Sequence, residues 1–378
     1  MAIAITSSPG YLQPVYSIQE YTLYDSGNYS ETDFYYQLDV SINGETRTVK
    51  LYKDENNKAV VDVQAILQPF ITSEFLTVPT DNLITANFDY VSDYQVRASS
   101  YWSGGSSVGS WQTAKKIFNG VDQYDRTWDA SLYGFKVDAS SLFMVADHSP
   151  RDIHLNDTEY LVTYWDYGNF DTSFNGMSYT RYNYDGDVST YTWPWPLQDY
   201  GFDVPVRIYI DASIINYRNG SEFISADTEY FTVQSLNGLS ETIRYNIIPE
   251  QSRYERYYRI YYIDSLGATA AFNFDLVPED NINISRTTYI SNRSRKAYNT
   301  KVEENLLVRS DWICESKSNA LKDLWKTSKA GLAREWGIAP YDIVLNESSK
   351  QILNRHNQGL INYTLNFSYA NELYVQMQ

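Results

Sequence analysis

The strongest constraint on this chain is an alternation of apolar and polar residues that recurs in many short segments. In residues 34–42 every second side chain is apolar, which is the period of a β-strand with one buried face. Asn43-Gly44 follows at once, and alternation resumes from residue 46. An Asn-Gly pair between two such segments signals a hairpin, because a type I′ turn needs positive φ at both positions. We therefore predict a hairpin whose buried face carries Phe34, Tyr36, Leu38, Val40 and Ile42.

Further segments of this kind predict a chain built mainly of short strands. They lie at residues 206–212, 242–248, 256–264, 271–276 and 360–369, with turn residues such as Leu266-Gly267 between two of them. Segment 60–71 is predicted to be a strand end followed by a short helical turn, which Pro69 limits. Tyrosine accounts for 36 of the 378 residues, and sheets favour aromatic residues. The predicted fold class is mainly β, with several tandem antiparallel β-sandwiches of Ig-like or fibronectin-like type.

One segment departs from this pattern and predicts a helix. Within residues 316–337, large apolar residues recur at multiples of three and four, as in an amphipathic helix; they are Leu321, Leu324, Trp325, Leu332 and Trp336. We expect this single helix to dock on a sheet that includes strand 360–369, which gives the last unit α+β character. Its opposite face carries Lys322, Lys326, Lys329 and Arg334. These four side chains either point into water, the simpler hypothesis, or form a basic contact for an acidic partner.

Turns and prolines divide the chain into four predicted units. They are an N-terminal β-sandwich at 1–82, a central β-domain with long loops at 83–202, a β-sandwich at 203–282 and a C-terminal α+β domain at 283–378. Segment 75–84 is predicted to be a linker, and the glycine- and serine-rich segment 101–111 a hairpin tip. The last unit begins with a basic stretch, 286–301, that holds five basic residues and no acidic residue.

The charges are distributed unevenly along the chain. Residues 1–250 carry 14 basic and 33 acidic groups, net −19, whereas residues 251–378 carry 16 basic and 14 acidic groups, net +2. The overall charge of −17 argues against sequence-specific binding of nucleic acid. The asymmetry reflects either compositional drift between domains or head-to-tail contacts between copies, acidic face to basic face.

Composition also excludes several classes of protein. A single cysteine, Cys314, allows no intramolecular disulfide, and three histidines leave few candidates for imidazole chemistry. No apolar segment approaches the roughly 20 residues of a membrane-spanning helix. The first residues lack the basic region and apolar stretch of a signal peptide. We expect a soluble protein that is synthesised in a reducing cytoplasm.

Motifs for catalysis or for binding a cofactor are not found in the sequence. It contains no GxGxxG, P-loop, HExxH or GxSxG pattern, so we predict no catalytic, cofactor-binding or metal-binding residue. Cys314 is predicted to be a buried, inert thiol within a strand. His148 and His154 are predicted to be surface loop residues, and Asp185 with Asp187 supply too few ligands for a calcium loop.

The motif TWPWP at residues 192–196 leaves two interpretations open. Trp193 and Trp195 either pack inside a connector between units, which we favour, or stack against sugar rings as an aromatic contact.

Four stretches in the first three quarters of the chain point to a family. They are YYQLDVSINGETRTVKL with AVVDVQAILQPFI, then KKIFNGVDQYD at 115–125, FMVADHSPRDIHLNDTEYLVTY at 143–164 and YYRIYYIDSLGATAAFNFD at 257–275. Together they resemble structural tail proteins of phages that infect Bacteroides-type bacteria, including the crAss-like phages. Ala268-Thr269 departs from the pattern, since several members have tryptophan after that glycine. The resemblance implies a virion protein in a ring or at the tail tip, and it carries over no active-site residues.

Three hypotheses for function follow. The first is a non-enzymatic tail ring or adaptor subunit, a homo-oligomer of roughly 6 or 12 copies that binds other phage tail proteins and does not insert into membranes. Such a protein would be made in the host cytoplasm and located in the virion. The second is a receptor- or glycan-binding module at the tail tip, and the third is a carbohydrate-active enzyme built on β-domains.

Overall fold

We describe the fold from a computed structural model of the chain. The described residues are 3–71, 84–86, 91–120, 149–165, 176–194, 204–236, 240–248, 258–265, 267–276, 278–291, 294–314, 317–318, 321–327, 329–333, 340–346, 360–370 and 373–374. Their strands form three β-rich units, each built around its own apolar cluster.

The strands and helices are numbered along the chain. The first set is β1 (Ala4–Ser7), β2 (Leu12–Pro14), β3 (Glu20–Tyr24), β4 (Tyr35–Ile42), β5 (Glu45–Leu51), β6 (Lys58–Asp62), α1 (Gln64–Leu67), β7 (Ile84–Ala86), β8 (Val91–Trp102), β9 (Gly105–Val108) and β10 (Lys115–Phe118). The second set is β11 (Arg151–His154), β12 (Thr158–Trp165), β13 (Gly176–Asn183), β14 (Val188–Pro194), β15 (Val204–Asp211), α2 (Ala212–Asn219), β16 (Thr228–Ser235) and β17 (Ile243–Ile248). The third set is β18 (Tyr258–Ile263), β19 (Thr269–Phe274), β20 (Glu279–Ser291), β21 (Ser294–Arg309), β22 (Ile313–Cys314), β23 (Ala330–Leu332), β24 (Tyr341–Leu345), β25 (Leu360–Ile361), β26 (Thr364–Tyr369) and β27 (Leu373–Tyr374).

The first unit is a sandwich of two sheets around one core. One sheet has the strand order β1-β3-β6, and the other has the order β2-β10-β8-β4-β5, with β9 paired to β8. The predicted hairpin is confirmed, because β4 and β5 pair around Asn43 and Gly44, whose φ angles are 49° and 81°. All five residues of its predicted inner face are buried. The predicted strand end with its helical turn is confirmed as β6, α1 and a 3-10 turn, and the predicted hairpin tip joins β8 to β9.

The second unit is also a sandwich. Its larger sheet has the order β11-β17-β16-β13-β14, and the smaller has the order β12-β15-β7. Helix α2 starts at Asp211, whose carboxylate accepts the backbone N–H groups of Ser213 and Ile214, and ends at Gly220 in the left-handed conformation. In both sandwiches the first and last strands of one sheet pair in parallel, β2 with β10 and β11 with β17.

The third unit is one large sheet with a small one beside it. The large sheet has the order β19-β18-β23-β24-β26-β21-β20, with β27 also paired to β21, and the small one pairs β22 with β25. The predicted hairpin of segments 256–264 and 271–276 is confirmed as β18 and β19, joined through a turn that contains Gly267. Segment 360–369 forms β25 and β26 and supplies buried side chains to the core.

The prediction of one amphipathic helix over residues 316–337 is wrong. The segment contains helical residues at 317, 318 and 321, a 3-10 turn at Lys322–Trp325 and the strand β23. β23 lies inside the large sheet, between β18 and β24, so backbone pairing on both sides overrides the helical spacing. Leu321, Leu324 and Leu332 are nevertheless buried in the core that contains β26, as predicted. Trp336 lies outside the described residues.

The fold class is mainly β, as predicted, but the sheets group the strands differently from the four predicted units. The division at residues 82 and 83 separates β4 from β8, yet these strands are neighbours in one sheet. Likewise, the division at 202 and 203 separates β12 from β15, which pair over eight residues. β7 belongs to the second sandwich, although the chain returns to the first sandwich directly afterwards. These pairings join residues that are far apart in sequence. Turn residues and prolines, which mark only local boundaries, do not indicate them.

Candidate assembly arm and interdomain junction

Strands β20 and β21 form a two-stranded ribbon with a long exposed part. We call its part beyond the sheet, residues 282–304, the arm. The base of β21, from Asn305 to Arg309, pairs with β26 inside the sheet, and the arm continues beyond it. At about 3.4 Å per residue, its nine steps from Ile282 to Ser291 extend for roughly 30 Å. Among the described residues, β27 pairs with the arm at Lys301 and Val302, and β20 is the last strand of the sheet.

The arm exposes apolar side chains. Residues 281–290 are all exposed, and the exposed fraction is 58% for Ile282, 50% for Ile284 and 75% for Ile290. These three residues are separated by even numbers of positions and therefore lie on one face of β20. Two-stranded hairpins are marginally stable alone in water, and edge strands with exposed apolar residues invite pairing with another chain. The arm thus has the properties of a docking element.

The arm also has a charge opposite to that of most of the chain. It contains the whole basic stretch 286–301, which holds five basic residues and no acidic residue. The second sandwich, residues 149–248, carries 5 basic and 14 acidic residues, net −9. Opposite charges on two surfaces favour and orient their encounter.

A buried cluster of charged groups joins the third unit to the second sandwich. Its centre is Arg259 on β18, whose side chain is 3% exposed. The guanidinium donates to Asp157 Oδ2 at 3.1 Å, to Asn273 Oδ1 at 2.8 Å and to the carbonyl oxygen of Thr158 at 3.1 Å. It also donates to Glu159, which together with Thr158 forms the start of β12. One side chain of the third unit therefore contacts three consecutive residues of the second.

The buried charges of this cluster balance one another. Arg151 Nη1 donates to Glu159 Oε2 at 2.7 Å, so two guanidinium groups face the carboxylates of Asp157 and Glu159. Burial alone would lower the pKa of Arg259, but the two carboxylates outweigh it and raise that pKa. Burial would likewise lower the pKa of Arg151, and Glu159 raises it. Removing one partner of such a pair leaves an uncompensated buried charge, so this cluster fixes the second sandwich against the unit that carries the arm.

A close backbone contact joins the third unit to the first sandwich. Gly267, in the turn after β18, has φ of 82°, and a Cβ at this position would lie 1.9 Å from the carbonyl oxygen of Asn119. Asn119 follows the last strand of the first sandwich. A residue other than glycine would therefore separate the two units at this point.

A cleft of about 310 Å³ lies beside the buried cluster. The ion pair between Asp152 and Lys317 lines this cleft. Asp275, whose Oδ1 is 3.3 Å from Nε2 of His154, lines it as well. Trp312, 48% exposed, also lines it. Most of the charged groups around the cleft thus already contact other groups of the protein.

The predicted basic contact face is not one surface. Lys322 is exposed in the 3-10 turn, Lys326 lies 3.3 Å from Asp323, and Lys329 precedes β23 with its Nζ 3.8 Å from Asp342. Arg334 lies outside the described residues. Because residues 322–325 form a 3-10 turn and residues 330–332 a strand, helical spacing does not align Lys322, Lys326 and Lys329.

The two tryptophans of the TWPWP motif are placed differently. Trp193 on β14 is partly buried against the core of the second sandwich, and Trp195 lies outside the described residues. The structure thus describes Trp193 as a packing residue of an edge strand.

Two expectations about single residues are wrong. Cys314 forms part of a strand, as predicted, but it is exposed rather than buried. His154 is buried at the end of β11, not on a surface loop; His148 lies outside the described residues. Asp185 and Asp187 lie in an exposed turn, where the Asp187 N–H donates to Asp185 at 3.0 Å. No group of three or more potential metal ligands occurs in the part of the chain that the structure describes.

The arm and the buried cluster were not predicted from the sequence. Ile282 and Ile284 alternate with asparagine, and a polar segment begins at Ser291. These features are typical of a hairpin, although basic residues dominate the composition of this segment. Arg259 lies about 100 residues from its carboxylate partners, and no local pattern indicates that pairing.

Comparisons with known proteins give no family. The chain matches no known protein family and no curated protein. A crystal structure of the chicken CNTN1 FN1-FN3 domains aligns with 64% of this chain and 64% of its own length, at 13% identity and a TM-score of 0.18. A plexin A4 full extracellular region aligns with 99% of this chain and 40% of its own length, at 6% identity and a TM-score of 0.20. The chain thus spans less than two thirds of either, and scores this low carry no functional inference. Within the described residues, no helix has the length and apolar character needed to cross a bilayer.

Proposed function

We propose that this chain is a non-enzymatic structural subunit of a phage tail, a ring or adaptor protein that oligomerises and joins neighbouring tail components. The arm is the observation that supports this proposal. It extends beyond its sheet, exposes both faces of β20 and carries isoleucines that are half exposed or more. A ribbon of this kind is stabilised when another surface covers it.

Covering the arm contributes favourably to the free energy of assembly. Burying the exposed remainder of each isoleucine contributes on the order of 1 kcal/mol, and new backbone hydrogen bonds along the open edge of β20 add to this. The contacts of Arg259 and Gly267 fix the arm-bearing unit against both sandwiches. An arm held in one orientation loses less conformational freedom when it docks.

The proposal includes the partners and location that follow from such a role. The subunit forms a closed ring of roughly 6 or 12 copies, contacts other tail proteins and resides in the virion after synthesis in the bacterial cytoplasm. It neither inserts into membranes nor recognises a nucleic-acid sequence.

The oligomeric state of the purified full-length chain in solution tests this proposal. Light scattering across a concentration series is expected to show a discrete high-order oligomer, and negative-stain images are expected to show rings. A chain that stays monomeric at all concentrations and binds host-surface glycans would instead support the tail-tip receptor hypothesis. Release of reducing ends from polysaccharide would support the enzyme hypothesis and contradict ours.

A further inference from the structure

We infer that the arm of one copy adds to the open edge of β14 in a second copy, as an extra strand of its second sandwich. This inference rests on the proposed function, because it names the partner of the arm. β14 is the last strand of its sheet, after β13. It has seven residues, VSTYTWP, and none of them is charged.

The other strand edges that the structure describes are less suitable. The edge strands β1, β2, β6, β7 and β11 have five residues or fewer. β5 is as long as β14 but carries Glu45, Arg47 and Lys50, and charged residues on an edge strand oppose pairing with another chain. β12 and β19 pack against each other where the second and third units meet. Among the described residues, β14 is therefore the longest edge strand that carries no charged residue.

The free backbone groups of β14 can be identified from its hairpin. The Asn183 N–H donates to the carbonyl oxygen of Asp187 at 3.0 Å, so this pair is of the hydrogen-bonded type. Bonded and non-bonded pairs alternate along antiparallel strands, and the register continues unbroken through Tyr182–Val188 to Thr180–Thr190. The N–H groups of Thr190 and Thr192 therefore point away from β13. They are the donors that an added strand would use.

Charge selects a second copy as the occupant. The basic stretch 286–301 carries five positive charges, and the second sandwich has a net charge of −9. Near the open edge of β14, Asp185, Asp187 and Asp227 are exposed. A basic arm meeting an acidic sandwich makes a head-to-tail contact, which forms a ring where the rotation between copies closes.

Thr190→Pro is the variant that tests this contact. Proline removes the outward N–H of Thr190 and keeps the hydrogen bonds to β13, and edge strands tolerate proline in such positions. Thr46→Pro is the matched control, because Thr46 lies on the edge strand β5 and is paired with Ser41 next to the hydrogen-bonded end of its hairpin. We expect Thr190→Pro to weaken association at least tenfold in light scattering, and Thr46→Pro to associate like the unmodified chain.

A shortened arm separates failure of this inference from failure of the proposed function. In that variant Asn-Gly replaces residues 284–302, so that Asn283 and Glu303, which are paired, flank a two-residue turn. If the shortened arm abolishes association while Thr190→Pro does not, the arm docks elsewhere and the inference about β14 is wrong. If the shortened-arm chain still associates normally, both the inference and the role of the arm in the proposed function are wrong.

Hydrogen exchange of the unmodified chain provides a test that does not depend on the folding of any variant. The peptide covering residues 188–194 is expected to exchange more slowly in the oligomer than in the same chain diluted until it is monomeric. The peptide covering β5 is expected to exchange equally in both. Equal exchange of residues 188–194 in the two samples would contradict the inference.

Discussion

The hairpins β4–β5 and β20–β21 have the same backbone plan but differ in what fixes their register. The inner face of β4 is buried in the first sandwich, so a shift by one residue would expose five apolar side chains. β20 is exposed on both faces from residue 281 to residue 290. Its register within the copy is held by backbone pairing with β21 and by the Glu279–Arg309 ion pair at its base, not by a buried face. The first hairpin is therefore complete within one chain, whereas in our proposal the second is completed by a partner.

Breaking the junction that holds the second hairpin in place should have the largest effect. Arg259→Leu leaves Asp157 and Glu159 without their main counter-charge and should lower the free energy of unfolding by about 3–5 kcal/mol. Denaturant unfolding should measure this loss of unfolding free energy. Hydrogen exchange should show that the second and third units are the ones destabilised. Arg309→Leu is the control, since its 2.6 Å pair with Glu279 is exposed and such pairs contribute about 1 kcal/mol or less. Equal losses in the two variants would contradict our account of the junction.

Truncating the buried face of the first hairpin should have the next largest effect. Leu38 is fully buried, and Leu38→Ala should cost about 2–5 kcal/mol because a cavity remains in the core. Thermal unfolding measures the loss. We expect the variant to associate like the unmodified chain wherever it is folded, since β4 lies inside the sheet. A melting temperature equal to that of the unmodified chain would show that burial of the inner face does not stabilise the first hairpin.

Acid should weaken the first hairpin. Burial alone would raise the pKa of Asp39 on β4, but hydrogen bonds from Arg97, Thr48 and Gln37 lower it. Because the pKa is lower in the folded state, Asp39 stabilises the fold above the ordinary carboxyl pKa of about 4, and that contribution is lost as the pH falls further. Melting temperatures between pH 7 and pH 3 should fall less steeply for Asp39→Asn. Parallel curves for the two proteins would contradict this assignment.

Truncating the exposed face of the arm should have the smallest effect on stability. Ile284→Ala should change the free energy of unfolding of the monomer by no more than about 0.5 kcal/mol, as for most surface substitutions. The same variant should weaken association, which sedimentation velocity would detect. Substantial destabilisation of the monomer would mean that the arm packs against its own chain and that the contrast between the two hairpins is false.

The sequence predicted elements whose determinants are local, and it missed those whose determinants are distant. Asn43-Gly44 and the alternation around it specify a hairpin within a few residues, so β4 and β5 were predictable. The spacing of Leu321, Leu324 and Leu332 correctly indicated burial, but β23 is placed by pairing with β18 and β24. In the arm, the alternation is short and polar residues dominate, so the sequence indicates a charged stretch rather than a hairpin. Arg259 and its partners depend on contacts between units, which composition and periodicity do not encode.

The path of β7 has a consequence for synthesis of the chain. β7 is made before β8–β10 complete the first sandwich, but its partner β15 follows about 120 residues later, since Ala86 pairs with Val206. At about 5–20 residues per second, the ribosome needs roughly 6–24 s to produce that partner. During this interval the first sandwich can fold while a strand of the second waits beside it without its sheet. Co-translational folding of the two sandwiches is therefore interleaved rather than sequential, and a nascent chain released before residue 206 would leave β7 open to chaperones and proteases.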